Sequence, residues 1–395
     1  MKISKRMERL KPSATRAMSD KAAKVKAQGK KVINLTSGEP DFATPPAAKQ
    51  AAVRAMEENH THYTTTAGIM ELRKAVTGYY KQQHGATFGE DQVLVGVGAK
   101  ALLFEALGCL VDPGDEVVVI APAWVSYVEQ IDVFDGKAVL VDTSVTGFMP
   151  DIEAVRKAVT PKTVAIMVNS PHNPTGMVYT EAFMRDVCLL AKERDIVLIN
   201  DEVYERMAYG TRYYNPLSYV PEAADNVLTI SGVSKAYAMT GWRIGFALGS
   251  KRLISKMAAL QGHITSCASS ISQWAAAGAI LETQQDVADM VAEYAKRLEF
   301  VASEVETMPH IRFTRPNGAF YLFLDVRGCF GKSYDGHVIG DDNAFCEMML
   351  EFGLVALVAG SAFLMPGYAR LSYATSMEDL AEAMRNMRAF LERLK

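Results

Sequence analysis

The chain contains 395 residues, of which 49% are hydrophobic and 22% are charged, and its formal net charge at pH 7 is −3. This composition is typical of a folded globular protein, and the length allows two or three domains with sizeable cores. The sequence has no long basic block and no apolar run near the ~18 residues of a membrane-spanning helix, so nucleic acid and membranes are not expected partners.

The start of the chain and its cysteines indicate a cytoplasmic protein. The opening sequence, MKISKRMERLK, is basic but lacks the apolar segment of a signal peptide. The five cysteines form neither a CxxC pair nor a regular framework, which is typical of reduced thiols inside a core. No metal site is predicted.

The first part of the chain predicts helix, a short strand and then a loop. Residues 1–30 are charged with a mostly helical pattern, and residues 31–36 are a short strand candidate. Glycine and proline punctuate the segment SGEPDFATPP at 37–46, which indicates a loop. Thr44 followed by Pro45 is typical of an N-cap with a first-turn proline, so a helix through Met56 is expected.

From about residue 90 to residue 250 the pattern alternates strand, loop and helix. Strands are predicted at 92–95, 116–120, 163–168, 195–199 and 227–230. Because these runs are almost continuously apolar, the sheet is expected to be largely parallel and buried on both faces. Ligands bind at the carboxyl ends of the strands in such sheets. Those ends carry Gly98-Ala99-Lys100, Trp124, Asn173, Asp201 and Lys235.

The last third changes character and predicts a second, smaller α+β domain. Residues 286–308 have apolar side chains at helical spacing, and a final helix is expected after Ser376. Strands are predicted at 320–324, 354–358 and 370–373. The N-terminal segment is expected to return to this domain.

The stretch SGVSKAYAMTGWRIG, at 231–245, holds two cations in otherwise apolar sequence. Lys235 and Arg243 could be surface side chains with buried stems. The alternative is a lysine nucleophile beside an anion-binding arginine.

Upstream, Gly96 to Ala101 matches G-x-G-x-x-[GA], which raises the alternative of a nicotinamide oxidoreductase. The next strand ends in Ala121-Pro122-Ala123-Trp124 rather than an acid, so a general phosphate site at a helix start is favoured.

Other strand-end residues each allow a structural and a chemical interpretation. Asp201 ends a buried strand and requires a cationic partner, or it serves as a cap or in a salt bridge. Tyr204 could aim its hydroxyl at the same place or pack in the core. Trp124 offers a flat face for a heteroaromatic ring. Arg370 carries a fork that matches a carboxylate, or it forms an ion pair at a domain surface.

Taken with their order and spacing, eight segments make the chain resemble the class I pyridoxal-phosphate-dependent aminotransferases. The resemblance is greatest to the bacterial aspartate aminotransferase subgroup and covers essentially the whole chain. The segments are PSAT at 12–15, SGEPDF at 37–42, HYTTTAG at 62–68, NSPHNPTG at 169–176, NDEVY at 200–204, SKAYAMTGWRIG at 234–245, NGAFY at 317–321 and YARLSYATS at 368–376.

The resemblance implies an α/β fold, the pyridoxal-phosphate-dependent transferase fold type I. Its large domain would hold a mostly parallel seven-stranded sheet sandwiched by helices and would span residues 46–285. The smaller α+β domain would combine residues 1–45 and 286–395. The family also implies a homodimer with shared active sites.

The resemblance further implies roles around a pyridoxal 5′-phosphate cofactor. Lys235 would form the Schiff base and then shuttle a proton, and Asp201 would pair with the ring nitrogen. Tyr204 and Asn173 would bond the ring hydroxyl oxygen, and Trp124 would stack on the ring. The phosphate would be held by Gly98, Ala99, Lys100, Arg243, Ser231 or Ser234, and Tyr63 of the other subunit. The substrate would contact Arg370 through its α-carboxylate, Gly38 closing over it, Trp124 and Asn173.

Two positions depart from the family pattern, and the substrate is left open. Gly232 and Ala99 stand where relatives often carry hydroxyl side chains. The subgroup implies aspartate with 2-oxoglutarate, and an aromatic, prephenate or methionine aminotransferase is the main alternative. A β-eliminating lyase and a non-catalytic regulator on the same fold are further alternatives. The candidates for binding the far end of the substrate are Ser13, Thr15, Arg16 and Lys100.

Overall fold

Thirteen α-helices and fifteen β-strands form the regular structure of residues 1–10, 12 and 14–395, which the computed structural model describes. The helices are α1 Lys5–Arg9, α2 Ala14–Ala27, α3 Pro46–Glu57, α4 Met70–His84, α5 Ala99–Leu110, α6 Ser126–Val133, α7 Ile152–Ala158, α8 Glu181–Arg194, α9 Lys251–Ile264, α10 Ser270–Glu282, α11 Gln284–Glu306, α12 Asp342–Phe352 and α13 Met377–Leu391. The strands are β1 Ile33–Asn34, β2 Val93–Gly96, β3 Glu116–Ala121, β4 Lys137–Asp142, β5 Thr163–Asn169, β6 Val197–Asp201, β7 Val227–Gly232, β8 Gly245–Leu248, β9 Arg312–Phe313, β10 Tyr321–Asp325, β11 Ser333–Tyr334, β12 His337–Val338, β13 Val355–Ala356, β14 Val358–Ala359 and β15 Tyr368–Ser372.

A seven-stranded sheet in the order β2-β8-β7-β6-β5-β3-β4 forms the centre of the larger part. Strands β7, β6, β5, β3 and β4 pair in parallel, and β8 is antiparallel to both of its neighbours. The mostly parallel seven-stranded sheet expected from the sequence is therefore confirmed. The carboxyl ends of the parallel strands lie at one edge, where β8 begins.

Helices cover both faces of this sheet, which explains why its strands are almost continuously apolar. All six residues of β3 are buried. Val118 and Ile120 pack into a cluster with Tyr80 of α4, whereas Val117 and Val119 belong to the cluster that includes Met257 of α9. Successive side chains of a strand point to opposite faces, so a strand covered on both sides needs apolar residues throughout.

The C-terminal part contains a four-stranded antiparallel sheet, β14-β15-β10-β9, with α11, α12 and α13. The N-terminal segment joins this part because β1 pairs in parallel with β13, and Leu35 accepts a hydrogen bond from the Ser372 amide at 2.9 Å. Met18 and Ala22 of α2 lie in the same apolar cluster as Phe345 and Met387. The division at residues 46 and 286 remains a prediction, and these contacts support it.

Two local predictions are wrong. Thr44 does not cap α3, because Pro45 is the N-cap and Pro46 is the first helical residue. The Thr44 hydroxyl instead accepts from the Trp242 indole at 3.0 Å and contacts the Ala238 carbonyl at 3.2 Å. The strand predicted at 354–358 is split into β13 and β14, because the two pieces pair in different sheets.

Among the helices that the structure describes, none is both long enough and apolar enough to cross a membrane.

Candidate active site

A cavity of about 350 Å³ opens at the edge of the central sheet where the parallel strands end. Most of the residues singled out from the sequence line it, although they come from distant parts of the chain. These are Gly38, Ala99, Lys100, Trp124, Asn173, Asp201, Tyr204, Ser234, Lys235, Arg243 and Arg370. The convergence expected from the strand order is therefore present in the fold.

Lys235 follows β7 and presents an amine to this cavity. Its Nζ donates a hydrogen bond to the Gly38 carbonyl, and it lies 5.9 Å from the centre of the Tyr204 ring. Burial lowers the pKa of Lys235 to about 8; the positive charge of Arg370 acts in the same direction, while Glu39 opposes it. The lowered pKa increases the fraction of neutral amine near neutral pH, and the neutral amine is the form that acts as a nucleophile.

Asp201 is the last residue of β6, and only 4% of it is exposed. Its Oδ2 accepts a hydrogen bond from the Tyr127 hydroxyl at 2.5 Å, and its Oδ1 lies 3.4 Å from the Val203 amide. Burial raises the pKa of Asp201 to about 6. No lysine or arginine of the described residues forms a salt bridge with it, so a structural ion pair does not account for this carboxylate. Such a group is suited to pair with a cation that enters the cavity.

Arg370 is buried, with 2% exposed, and it has no carboxylate partner among the described residues. Its guanidinium donates to Asn173 Oδ1 at 2.9 Å and to the Thr36 carbonyl at 2.7 Å. The Nε has no hydrogen-bond partner, and the group lies 4.4 Å from the centre of the Tyr321 ring. The structure therefore excludes the surface ion pair. An unpaired buried cation is costly and favours an anionic ligand.

The start of α5, the Arg243 side chain and the start of β8 are crowded together. Gly98 has φ +80°, and a Cβ there would lie 2.6 Å from the Arg243 guanidinium. A Cβ on Gly245 would lie 2.4 Å from the Ala99 nitrogen. Helix α5 has no side-chain cap, so no capping side chain occupies the amides of Ala99 and Lys100 at its start. Free amides at a helix start beside a guanidinium form a site suited to phosphate.

The structure distinguishes the two serines that flank Gly232. Ser234 lines the cavity, whereas Ser231 is buried within β7 and does not. A Cβ on Gly232 would lie 2.8 Å from the Ile244 carbonyl, so a side chain cannot be accommodated there. This contact explains why glycine stands at this position.

Trp124 and Lys100 meet at one side of the cavity. The Lys100 Nζ lies 4.7 Å from the centre of the Trp124 ring, and the ring of Tyr127 packs edge-on to the same indole at 5.4 Å. Burial lowers the pKa of Lys100, and the positive charge of Arg243 lowers it further. Lys100 is thus a cavity cation in addition to Lys235.

Of the predicted residues that the structure describes, Gly98, Ser231, Tyr63 and Arg16 do not line this cavity. Tyr63 is 89% exposed and lies beside Cys267, at a separate surface depression. Arg16 is exposed on α2 and pairs with Asp20 at 3.3 Å. Ser13 and the side chain of Thr15 lie outside the described residues. Tyr63 was expected from a partner subunit, so its role stays a prediction.

Among the lining residues that the sequence did not single out are three with hydroxyl side chains. Tyr127 lies three residues after Trp124, on the helix that follows it. Tyr321 ends the quoted NGAFY segment, and its hydroxyl hydrogen-bonds the Tyr204 hydroxyl at 2.7 Å. Thr240 precedes the GWRIG segment, and its carbonyl accepts from Arg243 at 2.9 Å.

Comparisons with known proteins point to one group. A family model described as "Aminotransferase class I and II" matches residues 30–387. The aspartate aminotransferase of Thermotoga maritima is 40% identical over 98% of this chain and 99% of its own length. The aspartate/prephenate aminotransferase of Thermus thermophilus is 39% identical and is covered to 99%, as is this chain.

Solved structures agree with the sequence comparison. The aspartate aminotransferase of Rhizobium meliloti superposes with a TM-score of 0.96 at 38% identity and covers 100% of both chains. That of Thermus thermophilus with maleate gives a TM-score of 0.94 at 38% identity, covering 99% of this chain and 100% of its own. The similarity includes the central sheet as well as the C-terminal part.

Proposed function

We propose that this protein binds pyridoxal phosphate in the cavity and transfers the amino group of L-aspartate to 2-oxoglutarate. The proposal starts from the finding that the chain belongs to the family of class I and II aminotransferases. The chain is an aminotransferase with the pyridoxal-phosphate-dependent transferase fold. This membership removes the nicotinamide alternative. The observation that carries the proposal is the meeting of Lys235, Asp201 and Arg370 in one cavity.

The residues present fit pyridoxal phosphate at each of its functional groups. The amine of Lys235 suits an aldehyde, since burial favours its neutral form. The carboxylate of Asp201, buried without a cationic side chain bonded to it, suits a protonated ring nitrogen. The crowded start of α5, where a Cβ on Gly98 would meet Arg243, suits the phosphate.

When bound, pyridoxal phosphate supplies an aldehyde that captures amines and a protonated ring that withdraws electrons from the substrate Cα. Lys235 would hold the cofactor through its amine. The same amine would move the proton at the substrate Cα, first as a general base and then as a general acid. The lowered pKa of Lys235 suits both tasks near neutral pH.

Asp201 would keep the proton on the ring nitrogen, and a buried carboxylate would do so more strongly than a solvated one. Trp124 would offer the ring a flat face, and Tyr204 and Asn173 would bond its hydroxyl oxygen. The amides of Ala99 and Lys100, with Arg243 and Ser234, would hold the phosphate. Gly98 and Gly245 allow Arg243 and the start of β8 to pack closely against the start of α5.

Arg370 binds the α-carboxylate of the substrate through its planar fork. Its Nη1 is already oriented by Asn173, and its Nη2 by the Thr36 carbonyl. Gly38 lies next to this site and accepts from Lys235, so the loop that carries it borders both the amine and the carboxylate site. This arrangement explains selection for α-amino acids and leaves the side chain of the substrate to other groups.

Aspartate is the preferred donor in this proposal for two reasons. The Thermotoga maritima and Rhizobium meliloti relatives are aspartate aminotransferases, and the Thermus thermophilus enzyme was solved with maleate, a dicarboxylate. Of the two candidates for the distal carboxylate whose side chains the structure describes, Arg16 and Lys100, Lys100 lines the cavity. A cation that also contacts Trp124 is suited to bind that second carboxylate.

The proposal includes a cytoplasmic homodimer. All five cysteines are free thiols, which supports a reducing compartment. The Tyr63 side chain is 89% exposed in the single chain. In a homodimer this side chain would be available to reach the phosphate site of the partner subunit.

A panel of amino donors tested with 2-oxoglutarate examines the substrate assignment. We expect kcat/KM to be about 10- to 150-fold higher for aspartate than for tyrosine or methionine, because only aspartate gains a charged hydrogen bond at its far end. Lys100→Met should lower kcat/KM for aspartate and leave kcat/KM for methionine unchanged. A preference for tyrosine, or release of ammonia from the donor, would contradict the proposal.

Prephenate amination is a second candidate, since the Thermus thermophilus relative is named an aspartate/prephenate aminotransferase. Supplying prephenate as the amino acceptor in the same assay distinguishes a single from a dual activity.

A further inference from the structure

We propose that the Tyr127 hydroxyl is a positioning group that keeps Asp201 ionised and fixes which of its oxygens faces the cofactor ring nitrogen. This inference rests on the proposed function and deepens it, because it gives a role to a residue that contacts the carboxylate rather than the substrate.

The local fold delivers this hydroxyl to the carboxylate. Strand β3 ends at Ala121, and α6 begins at Ser126, so one short connection presents both Trp124 and Tyr127. The Tyr127 amide donates to the Trp124 carbonyl at 3.1 Å, and the two rings pack edge-on at 86°. Only 3% of Tyr127 is exposed. The Trp124 ring and the hydroxyl that bonds Asp201 are therefore packed against each other on the same short connection.

The two carboxylate oxygens of Asp201 have different hydrogen-bond partners. Oδ2 of Asp201 accepts from the Tyr127 hydroxyl at 2.5 Å, which is a short, charge-assisted geometry. Oδ1 has only the Val203 amide, at 3.4 Å. Oδ1 is thus the oxygen left to accept from the ring nitrogen. Without the phenol, the carboxylate would be free to rotate and to take up a proton itself.

Other groups around Asp201 do not replace this bond. The remaining charged or titratable neighbours are Lys235, whose positive charge favours the ionised carboxylate, and Tyr204, whose hydroxyl bonds Tyr321 instead. The Asn169 side chain bonds the Asp201 backbone carbonyl, not its carboxylate. Among the described residues, Tyr127 is the one side chain that hydrogen-bonds the Asp201 carboxylate.

The hydrogen bond from Tyr127 is expected to change the pKa of Asp201 by a measurable amount. Burial alone raises the pKa of Asp201, whereas the Tyr127 hydroxyl lowers it, with a net value of about 6. A hydrogen bond to an ionised group shifts such a pKa by about one to two pH units. Removing the hydroxyl is therefore expected to raise the pKa of Asp201 further and to increase the protonated fraction of the carboxyl at neutral pH.

Tyr127→Phe tests this role, with Tyr179→Phe as the matched control. Tyr179 is a buried neighbour of Tyr127, but its hydroxyl has no hydrogen-bond partner. In Tyr127→Phe we expect the acid limb of kcat against pH to move up by about one to two units, while the KM for aspartate changes little. The equilibrium affinity for pyridoxal phosphate, measured by visible absorption at pH 7, should fall about 10-fold or more. Tyr179→Phe should match the wild type in all three.

A double-mutant cycle excludes a purely structural effect. If Tyr127 acts through Asp201, then Tyr127→Phe should cause no further loss of cofactor affinity in an Asp201→Asn background. An unchanged acid limb and cofactor affinity in Tyr127→Phe, or equal losses in both backgrounds, would overturn the inference while leaving the proposed function intact. Wild-type protein that binds no pyridoxal phosphate would overturn both.

Discussion

Replacing Lys235 by alanine is expected to abolish transamination, with kcat falling by at least about 10⁴-fold. The substitution removes the covalent anchor and the group that moves the proton at the substrate Cα. No second amine takes over, because Lys100 points to the face of Trp124, where its Nζ lies 4.7 Å from the ring centre.

The measurement is steady-state transamination of aspartate by the wild type and the Lys235→Ala variant. Binding of pyridoxal phosphate should persist in the variant, since Asp201, Arg243 and the start of α5 are unchanged. Lys192→Ala is the control, because this lysine, in the last turn of α8, forms an exposed pair with Glu222 and does not line the cavity. Retained turnover in Lys235→Ala would refute the assigned role.

Arg370→Leu is expected to lower kcat/KM for all α-amino acids together, by roughly 30- to 5,000-fold. The range follows from the roughly 2–5 kcal/mol that is lost when one partner of a buried charged pair is removed. Every α-amino acid carries the carboxylate that Arg370 binds, so aspartate and methionine should suffer similar losses.

Two further variants sharpen the test of Arg370. Arg370→Lys keeps the charge but loses the planar fork, so an intermediate loss is expected. Arg388→Leu removes an arginine that bonds Glu304 and Thr307 away from the cavity, and it should leave KM unchanged. A loss confined to dicarboxylate substrates would show that Arg370 binds the distal carboxylate instead.

The central sheet could be predicted because each strand is indicated by the residues of one short segment. Five almost continuously apolar runs indicate parallel strands covered on both faces, and the edge at which such strands end brings their next residues together. Asp201 and Lys235 lie in one cavity for that reason. The place of Arg370 could not be predicted in this way, because it reaches the cavity from the antiparallel sheet of the C-terminal part. The family resemblance, rather than the periodicity of the sequence, indicated its role.

The features that the sequence did not reveal depend on contacts between distant segments. The hydroxyl of Tyr127 bonds a carboxylate 74 residues away, and Tyr321 bonds Tyr204 across 117 residues. Gly232 is explained only by the approach of the Ile244 carbonyl from the neighbouring strand. Thr44 precedes the N-cap Pro45, and its hydroxyl accepts from the indole of Trp242, which is distant in the sequence.

The central claim is that Lys235 holds pyridoxal phosphate covalently, and one measurement tests it directly. Wild-type protein is incubated with the cofactor, treated with borohydride to fix any lysine-bound cofactor, digested, and mapped by mass spectrometry. We predict visible absorption before reduction and a single pyridoxyl-modified peptide that contains Lys235, which disappears from the digest of Lys235→Ala. Protein that takes up no cofactor, or modification at Lys100 or at surface lysines in place of Lys235, would contradict the account.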